Sequence, residues 1–426
     1  MTRIVPRIES KDRKAVTLLT GSHLCHNPRV IKEATSLARS GRQVTVLGAS
    51  MNPTLKMQDE LLARSLPFCF TPVKDVTADA LSDLILRAKN RLGTIAYEAG
   101  RFENRWQLGY AYPHLRRLAF GMRSDLFIAH SEQAMAVAVG LHRRGRRVAV
   151  DMEDWFSEDL LPEARRSRPL RLLRRLEGEL LTEGAYASCP SRAMSRALAR
   201  EFRCRPPAVI YNAFAWAERR LLDGLDKDRA DRRRPSIHWF SQTIGAGRGL
   251  EDLLTALPQV THPAEIHLRG NPVAGFGGWL AHRTPEAWRG RIFVHGLVSN
   301  QELLSRISEH DIGFAGEMKY CRNKDLTVSN KLLQYLLAGL VVVASDTEGQ
   351  REVAEQAGEA VLLYPAGEPG ALAAQLNALL GSPERLRRAK AAALAAAEET
   401  FCWERQEPVL LEGISRALAQ PALAEG

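Results

Sequence analysis

Ser329-Asn-Lys-Leu-Leu-Gln-Tyr-Leu-Leu-Ala-Gly339, continued by Leu340-Val-Val-Val-Ala-Ser345, is the stretch from which the fold can be read. Lys331 and Gln334 are three apart and share one helical face, while Leu332, Leu333, Leu336 and Leu337 occupy the others. Ser329 or Asn330 can cap the helix start. Gly339 can end it in a left-handed conformation. The apolar run that follows reads as a buried strand. A helix start of this kind turns free N–H groups toward an anion. The functional reading is a diphosphate at Ser329, Asn330 and Lys331, with a sugar hydroxyl near Gln334. The plain alternative is an ordinary capped amphipathic helix.

The same alternation of strand and helix runs outward in both directions. Ala15–Leu19 reads as a strand, followed by the loop Thr20-Gly-Ser22. Asn27 and Pro28 suit a helix start, Ile31, Ala34 and Leu37 fall at helical spacing, and Gly41 marks the end. Val44–Leu47 is the next strand, which completes a βαβ unit of the kind that builds parallel sheets. Further strands are expected at 126–129, 148–150, 187–189 and 209–211, with a helical arm over 161–184. Residues 217–235 are charged and lack an apolar period, as a linker does. A second series follows, with strands at 237–240, 265–268, 292–294, 312–315, 341–344 and 361–363. The expected class is α/β, with two Rossmann-like, doubly wound domains facing across a cleft. Their spans are 15–215 and 236–400, joined by a linker at 216–235.

The bulk numbers agree with this. A chain of 426 residues suits two domains of about 200 residues each. The six cysteines are scattered, without ligand or disulfide spacing, which favours a reducing, cytoplasmic setting. The opening MTRIVPRIESKDRKAV lacks the apolar centre of a secretory signal. No run of about 18 apolar residues is present to cross a bilayer. The net charge of +10 favours anionic partners. Two sources stand out. Arg165, Arg166, Arg168, Arg171, Arg174 and Arg175 alternate with leucines, and Arg101, Arg105, Arg116, Arg117 and Arg123 mix with aromatics. Both suit an anionic membrane surface, and both equally suit a solvated helix face. No nucleic-acid motif accompanies them.

The order and spacing of several motifs resemble the retaining GT-B glycosyltransferases, the group 1 or family 4-like bacterial set that extends envelope and exported glycans. Asn27–Ala34 with Gly41–Leu47 resembles that group's opening. Ile210-Tyr-Asn212 resembles its I-P-N-G element, with Ala213 in place of the glycine. Gly247-Arg-Gly-Leu250, Ser329-Asn-Lys331 with Ala338-Gly339, Thr347–Val353 and Phe401-Cys-Trp-Glu404 resemble later elements. The resemblance implies a nucleotide diphosphate sugar on the second domain and a glycan or lipid-linked acceptor on the first. It also implies that a C-terminal helix over 401–426 packs back on the first domain. Arg248, with Gly249 beside it, and Lys331 would meet the diphosphate, as an arginine can do bidentately. Glu352 would accept from a sugar or from backbone N–H groups. GT-B enzymes stabilise the leaving diphosphate without a bound metal, so neither metal nor cofactor is expected. The chain departs from the group at one place. Many members carry two glutamates separated by seven residues, and Leu326 and Gln334 stand at those positions.

On the acceptor side, Gly21, Ser22 and Arg29 would line the cleft, and His130, at a strand end, would orient a sugar hydroxyl as a neutral imidazole. Glu153, then Asp154, could receive the acceptor's proton as general base. His23 and His26 lack a third ligand at metal spacing. Two other functions compete with transfer. One is a sugar-nucleotide epimerase on the same fold. The other is a non-catalytic binding partner, which the missing glutamate pair would suit.

Overall fold

The computed structural model describes residues 13–75, 102–229 and 232–421, with 88, 90–93, 95 and 97 between the first two spans. Among these residues the strands form two parallel sheets. The first contains β1 (Ala15–Leu19), β2 (Gln43–Ser50), β3 (Cys69–Asp75), β4 (Leu126–Ala129), β5 (Val148–Asp151), β6 (Tyr186–Cys189) and β7 (Ala208–Val209). Their spatial order is β3-β2-β1-β4-β5-β6-β7. The second contains β8 (Ser236–Ile244), β9 (Glu265–Pro272), β10 (Ile292–His295), β11 (Ile312–Ala315), β12 (Val341–Ser345) and β13 (Val361–Tyr364), in the order β10-β9-β8-β11-β12-β13. Both orders reverse direction at the first strand, as in a doubly wound fold. The expected fold class is therefore observed.

The local signals act as their chemistry dictates. Asn27 accepts from the Val30 amide, with Pro28 opening the helix Pro28–Arg39. Gly339 sits at φ +85 and ends the helix Asn330–Ala338. The strands of the sheet interiors are apolar because helices cover both faces. In the arm Leu170–Glu183, Leu172, Leu173 and Leu176 pack into the first domain's core, and Arg171, Arg174 and Arg175 stay outside. That leucine face is thus used internally rather than on a lipid surface. Of the other basic group, Arg101 lies outside the described residues. Among the described residues no helix is long and apolar enough to cross a membrane.

The charged stretch after Trp216 is held against the second domain. Asp223 pairs with buried Arg306, Asp228 with Arg269, and Arg229 with Asp311 at 3.0 Å. The charges that hid any apolar period are themselves the attachment. The chain then crosses back near its end. Cys402 bridges Phe214, and the Trp403 amide donates to the Phe214 carbonyl at 2.9 Å. The helix Trp403–Ala419 packs on Pro28–Arg39, with the Trp403 indole donating to Ser36 Oγ at 2.9 Å.

Candidate donor and acceptor cleft

In doubly wound sheets, ligands bind beyond the carboxyl ends of the strands, where the order reverses. Those points are β1/β4 in the first sheet and β8/β11 in the second. A cleft of about 880 Å³ joins them. Ser22, His26, Arg29, Glu153 and Asp154 line it from the first domain. Gly247, Arg248, Glu317, Lys324, Ser329, Asn330 and Lys331 line it from the second.

The helix at Asn330 starts without a side-chain cap. Ser329 holds the cap position, but its hydroxyl donates to Glu317 Oε1 at 2.9 Å. The expected Ser329 cap is therefore absent, and the reason is a carboxylate twelve residues upstream. This leaves the helix N–H groups turned to the cleft, where an anion is favoured. Lys331 Nζ donates to the same Glu317 oxygen at 3.0 Å. Burial alone would raise the Glu317 carboxyl, but Lys331 and Ser329 hold it below the usual range. Arg248 is exposed and donates to Ser241 Oγ at 3.1 Å. Gly249 does not line the cleft. It sits at φ +80, where a Cβ would lie 2.1 Å from the Gly316 carbonyl oxygen. Its role is to let two backbones meet at the β8/β11 switch point. Gly249→Ala is expected to lose at least the ~1–2 kcal/mol of a left-handed alanine, and more for the clash. A fall in the thermal unfolding midpoint checks this.

On the first domain, Arg29 is 2% exposed and donates from Nε and Nη2 to Asp151 Oδ2, at 2.9 and 2.8 Å. Its Nη1 donates to the Ile210 carbonyl at 2.8 Å. His130 is buried beside this pair. Its Nδ1 meets Glu153 Oε1 at 2.9 Å and its Nε2 lies 3.3 Å from Glu33 Oε2. Burial would lower the imidazole pKa, but Glu33 and Glu153 outweigh it and raise it to about 10. The expected neutral, cleft-facing imidazole is therefore corrected. His130 lies behind the cleft wall, where Glu33 and Glu153 favour its protonated form, and it holds Glu153. Glu153 also accepts from Asn27 Nδ2 at 3.4 Å. The Asp154 carboxyl is pushed up to about 6 by burial, against the opposing effects of Lys324 and Asn323. Asn323, from the second domain, donates to it at 2.7 Å. Gly21 stands behind Ser22, its amide donating to Ser131 Oγ at 2.9 Å. His23 spends both nitrogens on the segment after β2, Nδ1 on Asp59 of the helix Pro53–Ala63 at 2.7 Å and Nε2 on the Met51 and Asn52 amides.

Two expected donor contacts fall elsewhere. Glu352 accepts from the Arg192 and Ala193 amides at 2.8 and 2.7 Å. It caps a helix of the opposite domain, so both oxygens are already engaged. Gln334 is 7% exposed and is not among the residues lining the cleft. Leu326 is buried in the first domain's apolar core, and its carbonyl accepts from Ser191 Oγ at 2.5 Å. An acid at that position would enter an apolar seam between domains. Sequence reasoning saw in Glu317 only a carboxylate upstream of the missing glutamate position, and passed over Asn323 and Lys324. The cleft position of Glu317 was findable, because it comes two residues after the end of β11, at a switch point.

With this geometry in place, the comparisons are specific. The structure of HepE from Anabaena in complex with UDP and glucose has a TM-score of 0.67 and 17% identity, covering 95% of this chain and 100% of that one. This is the GT-B fold of the glycosyltransferases. Sucrose-phosphate synthase from Thermosynechococcus elongatus has a TM-score of 0.69 and 14% identity, covering 96% and 100%. The trehalose-phosphate synthase from Burkholderia xenovorans has a TM-score of 0.67 and 12% identity, covering 96% and 100%. Residues 234–382 match the family model "Glycosyl transferases group 1". That span holds the whole of the second sheet. A search of curated protein sequences returned no match.

Proposed function

We propose that the protein transfers a sugar from a nucleotide diphosphate sugar to a glycan or lipid-linked acceptor, with retention of configuration. The observation that carries this reading is the uncapped helix start at Asn330, with Lys331 and Arg248 beside it on one cleft. The group 1 match over the second domain supports it, as do the complexes of HepE with UDP and UDP-glucose. As the bond from the sugar anomeric carbon to the diphosphate breaks, negative charge grows on the leaving oxygen. Fixed donors placed there are worth about 3 kcal/mol each. The acceptor hydroxyl approaches past Ser22 and His26 on the same face of the sugar that the diphosphate leaves, forms the new carbon–oxygen bond with retention, and gives its proton to Asp154 or Glu153. Glu317 takes the hydroxyl-accepting role that Gln334 and Leu326 cannot fill. Retention rests on the resemblance of the motifs and is read from the anomeric proton coupling of the product.

A thermal-shift screen against UDP, GDP, ADP and their sugars tests the donor site. A ligand at 100 times its Kd adds about 2.7 kcal/mol. Stabilisation by none of them sinks the reading. If Asp154 is the base, it must be ionised. The acid limb of kcat/KM is then expected near pH 6, and Asp154→Asn should abolish that limb. A wild-type rate flat from pH 5 to 8 would remove Asp154 from this role.

A cytoplasmic site on the inner membrane face, within envelope or exported polysaccharide synthesis, fits the exposed Phe102 and Tyr110 beside the basic segment 105–123. The buried positions of Leu326 and Gln334 favour the second reading, a non-catalytic binder. Nucleotide binding without hydrolysis or transfer across the donor panel would select it.

A further inference from the structure

The second domain holds a cluster of polar side chains that the cleft does not use. His238 lies on β8, His267 on β9, His295 ends β10 and His310 precedes β11. His238, His267 and His310 stand at the amino ends of their strands, away from the cleft at the carboxyl ends, and His295 reaches them from the end of the short edge strand β10. Asp228 reaches them from the segment entering the domain. One ligand atom from each of Asp228, His238 and His310 lies within 4.8 Å of the other two. We propose that Asp228, His238 and His310 bind a divalent transition-metal ion of the zinc type.

Three observations carry this. First, His238 is 0% exposed and neither ring nitrogen has a hydrogen-bond partner. An unmatched buried polar group costs about 1–3 kcal/mol. Its ring stacks face to face on His310 with centroids 4.5 Å apart, which makes the two imidazoles immediate neighbours. Second, His310 has an orienting partner. Its Nδ1 lies 3.0 Å from Ser236 Oγ, which is in turn 3.4 Å from Asp311 Oδ2. With a cation on Nε2, His310 donates from Nδ1 to Ser236, whose hydroxyl hydrogen goes to Asp311. In that tautomer the Nε2 lone pair faces Asp228 Oδ2, 3.6 Å away, where without a metal a proton on Nε2 is shared with Asp228. A cation takes the place of that proton. Orientation through the second ring nitrogen is also how ligating histidines are usually fixed. Third, two imidazoles and a carboxylate are a donor set that zinc accepts, at about 2.0–2.2 Å.

Arg269 donates to both Asp228 oxygens, and Arg229 and Glu309 stand close by. A carboxylate has about four lone-pair sites, so Asp228 can serve both the guanidinium and an ion. The ion would clip the entering segment to β8 and β11. The role is structural and independent of the transfer reaction.

The test uses the full-length protein, stripped with chelator and titrated with Zn²⁺ by calorimetry and with Co²⁺ by visible absorption. One saturable equivalent, a tetrahedral Co²⁺ spectrum and a raised thermal midpoint are expected. Ser236→Ala should weaken binding by about 10–100-fold. His238→Phe and His310→Gln, each checked for folding by circular dichroism, should abolish the spectrum. No saturable binding by the wild-type chain overturns the site. So does binding unchanged in either histidine variant, which would trace the metal to surface histidines.

Discussion

Lys331→Met is expected to lower kcat/KM for sugar transfer by about 10²–10³-fold, the usual effect of removing one donor aimed at developing charge. The loss should fall mainly on kcat, because the charge on the leaving diphosphate is largest in the transition state. The same substitution strips Glu317 of its cation. Glu317 would then be a half-buried carboxylate with only the Ser329 hydroxyl and the weaker influence of Lys324, so stability should fall as well. The two effects separate in the double variant. Lys331→Met with Glu317→Gln removes the stranded charge and should recover the thermal midpoint while activity stays low. If the double variant recovers activity too, Lys331 serves only to balance Glu317. Lys331→Arg keeps the charge and should sit between the wild type and Lys331→Met.

Arg29→Met is expected to destabilise the first domain by about 3–5 kcal/mol, as breaking one side of a buried pair does. At about 2–4 °C per kcal/mol for a domain of this size, the thermal midpoint should drop by roughly 6–20 °C. Asp151 loses both of its guanidinium bonds, and the Ile210 carbonyl loses its donor. The pH dependence gives a second reading. In the wild type, burial would raise the Asp151 carboxyl, but Arg29 holds it well below its usual range. That contribution is present above the unfolded-state pKa and is lost as pH falls through the folded one. Without Arg29 the burial of Asp151 is opposed only by Glu33, His130 and the Ser188 hydroxyl, so the carboxyl takes up a proton at a higher pH than in the wild type. The gap between variant and wild type should therefore narrow as pH is lowered from 7 to 5. A gap that widens, or a midpoint within 2 °C of wild type, would show that Asp151 is carried by other partners.

Much of the fold was legible because its signals are local. Asn27 with Pro28, the leucines around Lys331 and the left-handed Gly339 each act within a few residues. The cleft was legible to the same depth, since strand ends point to switch points. The remainder depends on partners distant in sequence. Glu352 meets amides about 160 residues away, and Asn323 meets Asp154 across 169. Nothing in the periodicity around Glu352 distinguishes a ligand contact from a cap on another helix. His130 was placed at the correct strand end, but its charge depends on Glu33 and Glu153, which reach it from two other elements. The charged stretch after Trp216 read as a tether because its partners, Arg306, Arg269 and Asp311, belong to later strands and helices.

The crossing at Phe214 and Cys402 has a mechanical consequence. A single covalent strand between two bodies lets one swivel about it. Here two strands pass side by side, joined by a backbone hydrogen bond. Two tethers at one point allow bending about the line that joins them and resist rotation about their own direction. Opening and closing of the two halves should then follow one angular coordinate. Paired distance labels at the two ends of the cleft would change together if this holds, and independently if it does not. A substrate site built from both halves would return to register each time it closes.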